Sequence, residues 1–205
     1  YEGVVNGNRY TIKRKETPEQ LARNYLHDLA ESYHEKNRER FGLDLPPVGG
    51  SLPFDPELSK RTAAAFDRAK HDPAHPFVKK SYDQFKAELL AQYRHLKDAG
   101  VSFEPWESPG QPYANSKEMQ ADVLGNKRIK FFKGGDMPAD HPLAEKVSGD
   151  TNYNDILRGV HDVLSHAKEG HQFGPKGELQ AWGEHARLFS PLARHALTAE
   201  THGQN

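Results

Sequence analysis

At 205 residues the chain is long enough for one domain with a sizeable core, and its 28 Lys and Arg almost balance 29 Asp and Glu. That balance supplies no overall field for nucleic acid or an anionic membrane, while a mean hydropathy of −0.89 with 10 % aromatic residues describes a folded protein with a charged surface. The lack of cysteine excludes disulfides, thiolate metal sites and cysteine nucleophiles. No apolar run approaches a membrane span and none near Tyr1 reads as a signal peptide, so a soluble, cytoplasmic protein with no membrane partner is expected.

In chain order, Val4 to Ile12 reads as a small hairpin around Asn6-Gly7, the pair suited to a tight turn. Thr17-Pro18-Glu19-Gln20 is a capping box that opens a helix running to about Phe41, with Leu21, Tyr25, Leu29 and Tyr33 as its buried stripe. The Pro/Gly-rich stretch from Leu45 to Pro53 is a loop and a candidate hinge. Asp55-Pro56-Glu57 starts a second helix. A third, roughly Val78 to Lys97, carries Tyr82, Phe85, Leu89, Tyr93 and Leu96 at helical spacing. Val101–Trp106 and Arg128–Phe132 look like two short strands, separated by a helix capped at Asn115. Gly134 to Asp150 reads as a loop, and three helices follow near 154–168, 177–189 and 191–200. The fold class is α+β, mostly helical: a helical bundle core with a small two-stranded sheet and an N-terminal hairpin. Residues 1–54 would carry the hairpin and first helix and 55–205 the main helical domain, unless 1–205 is a single domain.

Histidine is the outlier: of 12, six lie at or beyond His161. On a helical wheel Ile156, Leu157, Val160, Val163, Leu164 and Ala167 form one face of the first late helix. Asp155, Arg158, His161, Asp162, Ser165, His166 and Glu169 share the other, which alone reads as a solvated surface. In the next helix Glu178, Trp182, His185 and Phe189 fall on one apolar line, with Gln180, Glu184 and Arg187 opposite. In the last, Glu200 interrupts Leu192, Ala193, Ala196 and Leu197. Burying a carboxylate without a partner costs several kcal/mol, so these groups must meet a cation, a donor or a metal. The short turn Gly170 to Gly177 implies antiparallel packing, with Glu178 near His166 and His185 towards His161 and Asp162. Two imidazoles with carboxylates and no sulfur form a ligand set for Zn²⁺, Fe²⁺ or Mn²⁺. The competing account is a metal-free buried network, with Arg158 pairing Glu178 or Glu200.

The hexad His161-Asp162-x-x-x-His166 has a spacing of five, which on an ideal helix separates the rings by about 140°. The same spacing resembles the iron-binding helix of aromatic amino acid hydroxylases, where a glutamate from another helix completes the site. More widely, Asn154-Asp155…Val160-His161-Asp162…His166…Glu169-Gly170, Gly177-Glu178…Ala181-Trp182…His185 and Glu200-Thr201…Gly203-Gln204-Asn205 resemble an uncharacterised family of bacterial and phage proteins. Related domains of that family occur inside large polyvalent phage and mobile-element proteins. The likeness extends upstream through Tyr82–Gly100 and Pro112–Ser116, and implies a shared site at His161, Asp162, His166, Glu178, His185 and Glu200. It departs from the family's Gly at Ser165 and Arg at His202.

Other motifs point nowhere in particular. Gly49-Gly50 and Gly134-Gly135 lack the helix and Lys-Ser/Thr of a phosphate loop, and no nucleophile elbow surrounds Ser165. His71, His75 and His141 stand beside prolines and read as solvated. The expectation is therefore a metal-dependent enzyme, hydrolysing through metal-bound water or oxidising at iron. His161, His166 and Glu178 would be the ligands, His185 or Glu200 a fourth ligand or general base, Asp162 an orienting group, and Arg158 a member of the catalytic set. The substrate would be a small molecule or a macromolecule, with nucleic acid disfavoured by the charge balance. The alternative is a non-catalytic accessory or interaction module of phage or mobile elements whose His/Glu/Arg cluster is packing.

Overall fold

The computed structural model describes residues 2–5, 8–11, 17–135 and 137–202. It is an α+β fold, mostly helical. Strands β1 (Glu2–Val5) and β2 (Asn8–Thr11) pair antiparallel, and the Asn6-Gly7 turn between them lies outside the described residues. Helix α1 (Pro18–Phe41) begins at Thr17, whose hydroxyl accepts from Gln20 N while the Gln20 side chain accepts from Thr17 N. Its inward face is rotated from the expected stripe. Leu26, Ala30 and Tyr33 are buried, whereas Leu21 is 55 % exposed.

Helix α2 (Pro56–Asp67) starts at Asp55 and buries none of its residues. The loop before it is pinned to the late helices, because the Gln180 amide accepts from Leu52 N and donates to Leu52 O, both at 2.8 Å. Helix α3 (Pro76–Asp98) buries Phe85, Leu89 and Leu96. Strand β3 (Ser102–Trp106), helix α4 (Ser116–Asn126) and strand β4 (Arg128–Phe132) form a crossover unit with β3 and β4 parallel, Ser102 opposite Arg128. The stretch expected to be only a loop holds a 3₁₀ turn at Pro142–Ala144 and strand β5 (Lys146–Ser148), which pairs antiparallel with β6 (Thr151–Asn152) just beyond it.

Helix α5 (Tyr153–His161) is opened by a capping box between Asn152 and Asp155 and continues directly into a π-helical segment, Asp162–Ala167. Helices α6 (Pro175–Ala186) and α7 (Pro191–Glu200) complete the chain's described part. Helix α5 lies at the centre, against α3, β4 and β6, with its π segment against α4 and α6. It is therefore covered on most sides: Ile156, Val160 and Leu164 are buried, and so are Asp155, His161, Ser165 and His166 from the face expected to be solvated. One cluster of buried apolar side chains runs from Leu26 and Tyr33 through Phe85 and Leu89 to Phe189 and Leu197.

Candidate metal centre

The π segment decides the geometry. An α-helix would splay His161 and His166 apart, but a π turn closes i to i+5 and so stacks residues five apart on one face. The two rings lie edge to face with centroids 5.2 Å apart. Ser165 Oγ donates to His161 O, a back-bond of the kind that distorts a helix. Carbonyls at the far end are taken by α4, since Gln120 Nε2 donates to Ala167 O at 2.6 Å and Ser116 Oγ to Gly170 O at 3.1 Å.

Helix α6 packs on the π segment and delivers Glu178. Gly177 makes this possible, because a Cβ there would sit 1.5 Å from Gln172 O. Glu178 Oε1 stands 3.3 Å from His166 Nε2, and Oε2 stands 3.7 Å from His161 Nε2. One ligand atom from each of His161, His166 and Glu178 falls within 4.8 Å of the others, so the group can hold a metal ion.

Hydrogen bonding sets which nitrogen of each ring is free. Leu188 O can only accept, so the Gln92 amide donates to it through Nε2 (3.0 Å) and turns Oε1 towards His185 Nε2 (2.7 Å). His185 Nε2 therefore carries a proton. Burial, with repulsion from His161, Lys168 and His166, holds the His185 pKa well below its ordinary value, so the ring is neutral and Nδ1 is an acceptor. The 3.0 Å contact between the two Nδ1 atoms is then donated by His161. This leaves a lone pair on His161 Nε2, a buried atom with no hydrogen-bond partner. Its Glu178 neighbour at 3.7 Å is beyond hydrogen-bond reach. His166 Nδ1 likewise donates to His171 O at 2.9 Å, which directs Nε2 at Glu178. Burial opposes charge on Glu178, but His166 at 3.3 Å holds its pKa below the ordinary carboxylate value. Burial also opposes charge on His166, yet Glu178 and Asp162 raise its pKa.

Beside this group lies a cavity of about 420 Å³ whose wall includes Arg158, His161, Asp162, Glu178 and Glu200. Burial pushes the Asp162 carboxyl up to about 7 against the pull of His166. Glu200 is not among the three converging groups. Its Oε1 accepts from Tyr82 Oη and lies 3.3 Å from His141 Nε2, and no described residue donates to its Oε2. His141 is thus part of the cavity's support and not a solvated loop side chain. Leu143 N donates to its Nδ1, which leaves the proton on the Nε2 that faces Glu200. His185 is fully buried behind His161 and does not line the cavity. Arg158 forms no ion pair with Glu178, Glu200 or any other described acid; its Nη1 donates to Phe132 O and Gly134 O.

Gln92, Tyr82 and His141 as supports were not apparent in the sequence, although Gln92 interrupts the apolar face of α3 just as Glu178 interrupts α6. A second buried network was missed too. Lys168, fully buried, donates to Glu184 (2.8 Å) and Glu169 (3.1 Å), and Arg23 joins Glu169 from α1. Glu184, placed on the outer side of α6 by the wheel, is buried. Comparison of the chain with family models, with curated proteins and with solved structures gives no match in any of the three.

Proposed function

We propose that this chain is a divalent-metal-dependent hydrolase with His161, His166 and Glu178 as its metal ligands. The observation that carries this reading is the meeting of one ligand atom from each of two imidazoles and a carboxylate within 4.8 Å of one another beside a cavity, with each ring's Nδ1 already committed. A lone pair facing a carboxylate in a buried site is repulsive until a cation lies between them. Ligand atoms about 2.1 Å from a tetrahedral ion stand about 3.4 Å apart; the two imidazole–carboxylate separations here, one to each Glu178 oxygen, are 3.3 and 3.7 Å. The donor set is nitrogen and oxygen without sulfur, suited to Zn²⁺, Mn²⁺ or Fe²⁺. A metal ion held by three protein ligands keeps a position for water and lowers its pKa towards neutrality.

The chain's own groups supply the rest. Gln92 and His185 keep the His161 lone pair turned towards Glu178. Glu200, with Oε1 fixed by Tyr82 and His141, offers Oε2 as the acceptor for a proton released in the cavity. Two histidines and one carboxylate also serve non-haem iron oxygenases, which is the second reading. Elemental analysis of protein purified without added metal tests both, with Glu178→Gln and His166→Ala alongside and circular dichroism as the check on folding. About one equivalent of metal in the wild type and little in folded variants is expected. Iron together with oxygen consumption favours the second reading. A metal-free wild type that takes up no Zn²⁺, Mn²⁺ or Fe²⁺ sinks the proposal.

A further inference from the structure

We infer that the substrate carries an anionic group, a carboxylate or a phosphate, and that Arg158 receives it. The inference rests on the metal-centre reading only for the position of the substrate's reacting end. Among the described residues Arg158 is the one Lys or Arg side chain that lines the cavity. It precedes His161 by three residues on α5, and so stands about one helical turn, ~5 Å, from the ligand group along the same helix.

The guanidinium is positioned, and among the described residues no carboxylate pairs with it directly. Nη1 is spent on two backbone carbonyls, Phe132 O at 2.8 Å and Gly134 O at 2.7 Å, and the group lies over the Phe132 ring with its carbon 5.4 Å from the centroid. Gly135, at φ +104°, wraps close enough that a Cβ there would come within 3.1 Å of Nη2. The backbone thus braces one edge of the group and the Phe132 ring lies against its face. Asp155 is committed to the α5 capping box and Asp162 lies one turn along; both act on Arg158 only through space.

No described residue accepts from Nε or Nη2. Those two nitrogens form the side-on edge of the fork, the arrangement that binds a carboxylate or phosphate through two parallel hydrogen bonds. A half-buried cation that, among the described residues, is hydrogen-bonded only to neutral carbonyls, with Asp155 and Asp162 acting on it through space, gains from an anionic ligand in direct contact. Of the acids on the same wall, Glu178 is held by two histidines and Glu200 by Tyr82 and His141. A cavity of about 420 Å³ suits a metabolite-sized acid or phosphate ester, with its anionic group about one helical turn from the reacting bond.

The test titrates inorganic phosphate in one arm and acetate in the other against the full chain, as purified and after chelation, with the rise in melting temperature as readout. Wild type is expected to bind at least one anion saturably at millimolar concentration, and Arg158→Gln to weaken that binding tenfold or more. Response to phosphate alone marks a phosphate ester as the substrate, and response to acetate marks a carboxylate. Arg158→Lys keeps the charge and can still reach the carbonyls, so it should retain the stability of the wild type and recover only part of the affinity. That guards against Arg158→Gln acting through folding alone. Arg158-dependent binding that survives chelation upholds the inference even if no metal is ever found. Equal binding by wild type and Arg158→Gln, or no saturable binding of either anion, overturns it.

Discussion

Replacing Gln92 with Leu removes a group of nearly the same size but breaks a chain that reaches the metal-centre candidate. Leu188 O loses its donor at 3.0 Å and His185 Nε2 loses its acceptor at 2.7 Å, both in fully buried surroundings. Each orphaned buried group costs about 1–3 kcal/mol. The sum is about 2–6 kcal/mol, and a central value of about 4 kcal/mol lowers the melting temperature by about 8–16 °C in a chain of this size. The second effect is on the tautomers. Without Gln92 Oε1, His185 is free to carry its proton on Nδ1, and His161 must then accept at Nδ1 and hold its own proton on Nε2, the atom that faces Glu178. Metal affinity should fall by about 10- to 100-fold, the usual effect of losing a group that orients a ligand.

Chelator competition measures the affinity and a thermal melt the stability. Ser81→Ala serves as the control. Ser81, on the same helix as Gln92, donates to Leu192 O at 2.9 Å, so the variant removes a hydrogen bond without touching the histidines. Leu192 O lies within α7 and keeps its intrahelical donor, so the variant should lose only about 0.5–1.5 kcal/mol of stability and no metal affinity. Wild-type affinity in Gln92→Leu, or an equal loss in Ser81→Ala, would refute the proposed control of the His161 tautomer.

Two further predictions concern the network behind the π segment. Lys168→Met strands the buried Glu184 carboxylate and should cost about 3–5 kcal/mol in urea denaturation; adding Glu184→Leu should restore most of it, and a double variant as weak as the single one argues against the pair as the cause. Burial opposes charge on Glu169, but Lys168, His27 and Arg23 together hold its pKa below the ordinary 4.5. A depressed folded value means the stabilisation is present above about 4.5 and is lost as pH falls through the folded value. Wild type should therefore lose stability on acidification below 4.5 more steeply than Glu169→Gln, and parallel acid curves for the two would refute the assignment.

How much of this was legible varies with the range of the signal. Helix starts were readable because caps are local: Thr17, Asp55 and Asn115 each bond a backbone N–H two or three residues on. The stripe on α1 holds at Tyr33, and at Tyr25 and Leu29 along its edge, but its phase is set by the elements packed on it, which bury Leu26 and Ala30 and leave Leu21 exposed. Strands β5 and β6 have only three and two residues with a register shift, too few to show alternation. The wheels of α5 and α6 assume one wet side, and these helices are covered on nearly all sides. Asp155 and Glu184 are consequently buried on faces that the wheels read as polar, and Lys168, which the wheels did not single out, is buried too.

The hexad was undervalued for a different reason: its spacing of five was judged against the period of an α-helix. Over Asp162–Ala167 the chain has the π period, and the same spacing brings both rings to one face. A π turn holds about one residue more than an α turn, which makes a further experiment possible. Deleting Ser165 should let the segment relax to α-helix, place the two histidines four apart on one face, and leave the residues after it in their present register. A deletion in an ordinary helix would instead rotate everything beyond it by about 100°. The variant should therefore fold and still bind metal within about tenfold of wild type. A chain that unfolds on losing Ser165 would show that the π turn is required for packing against α4 and α6, and that the histidine geometry follows from it.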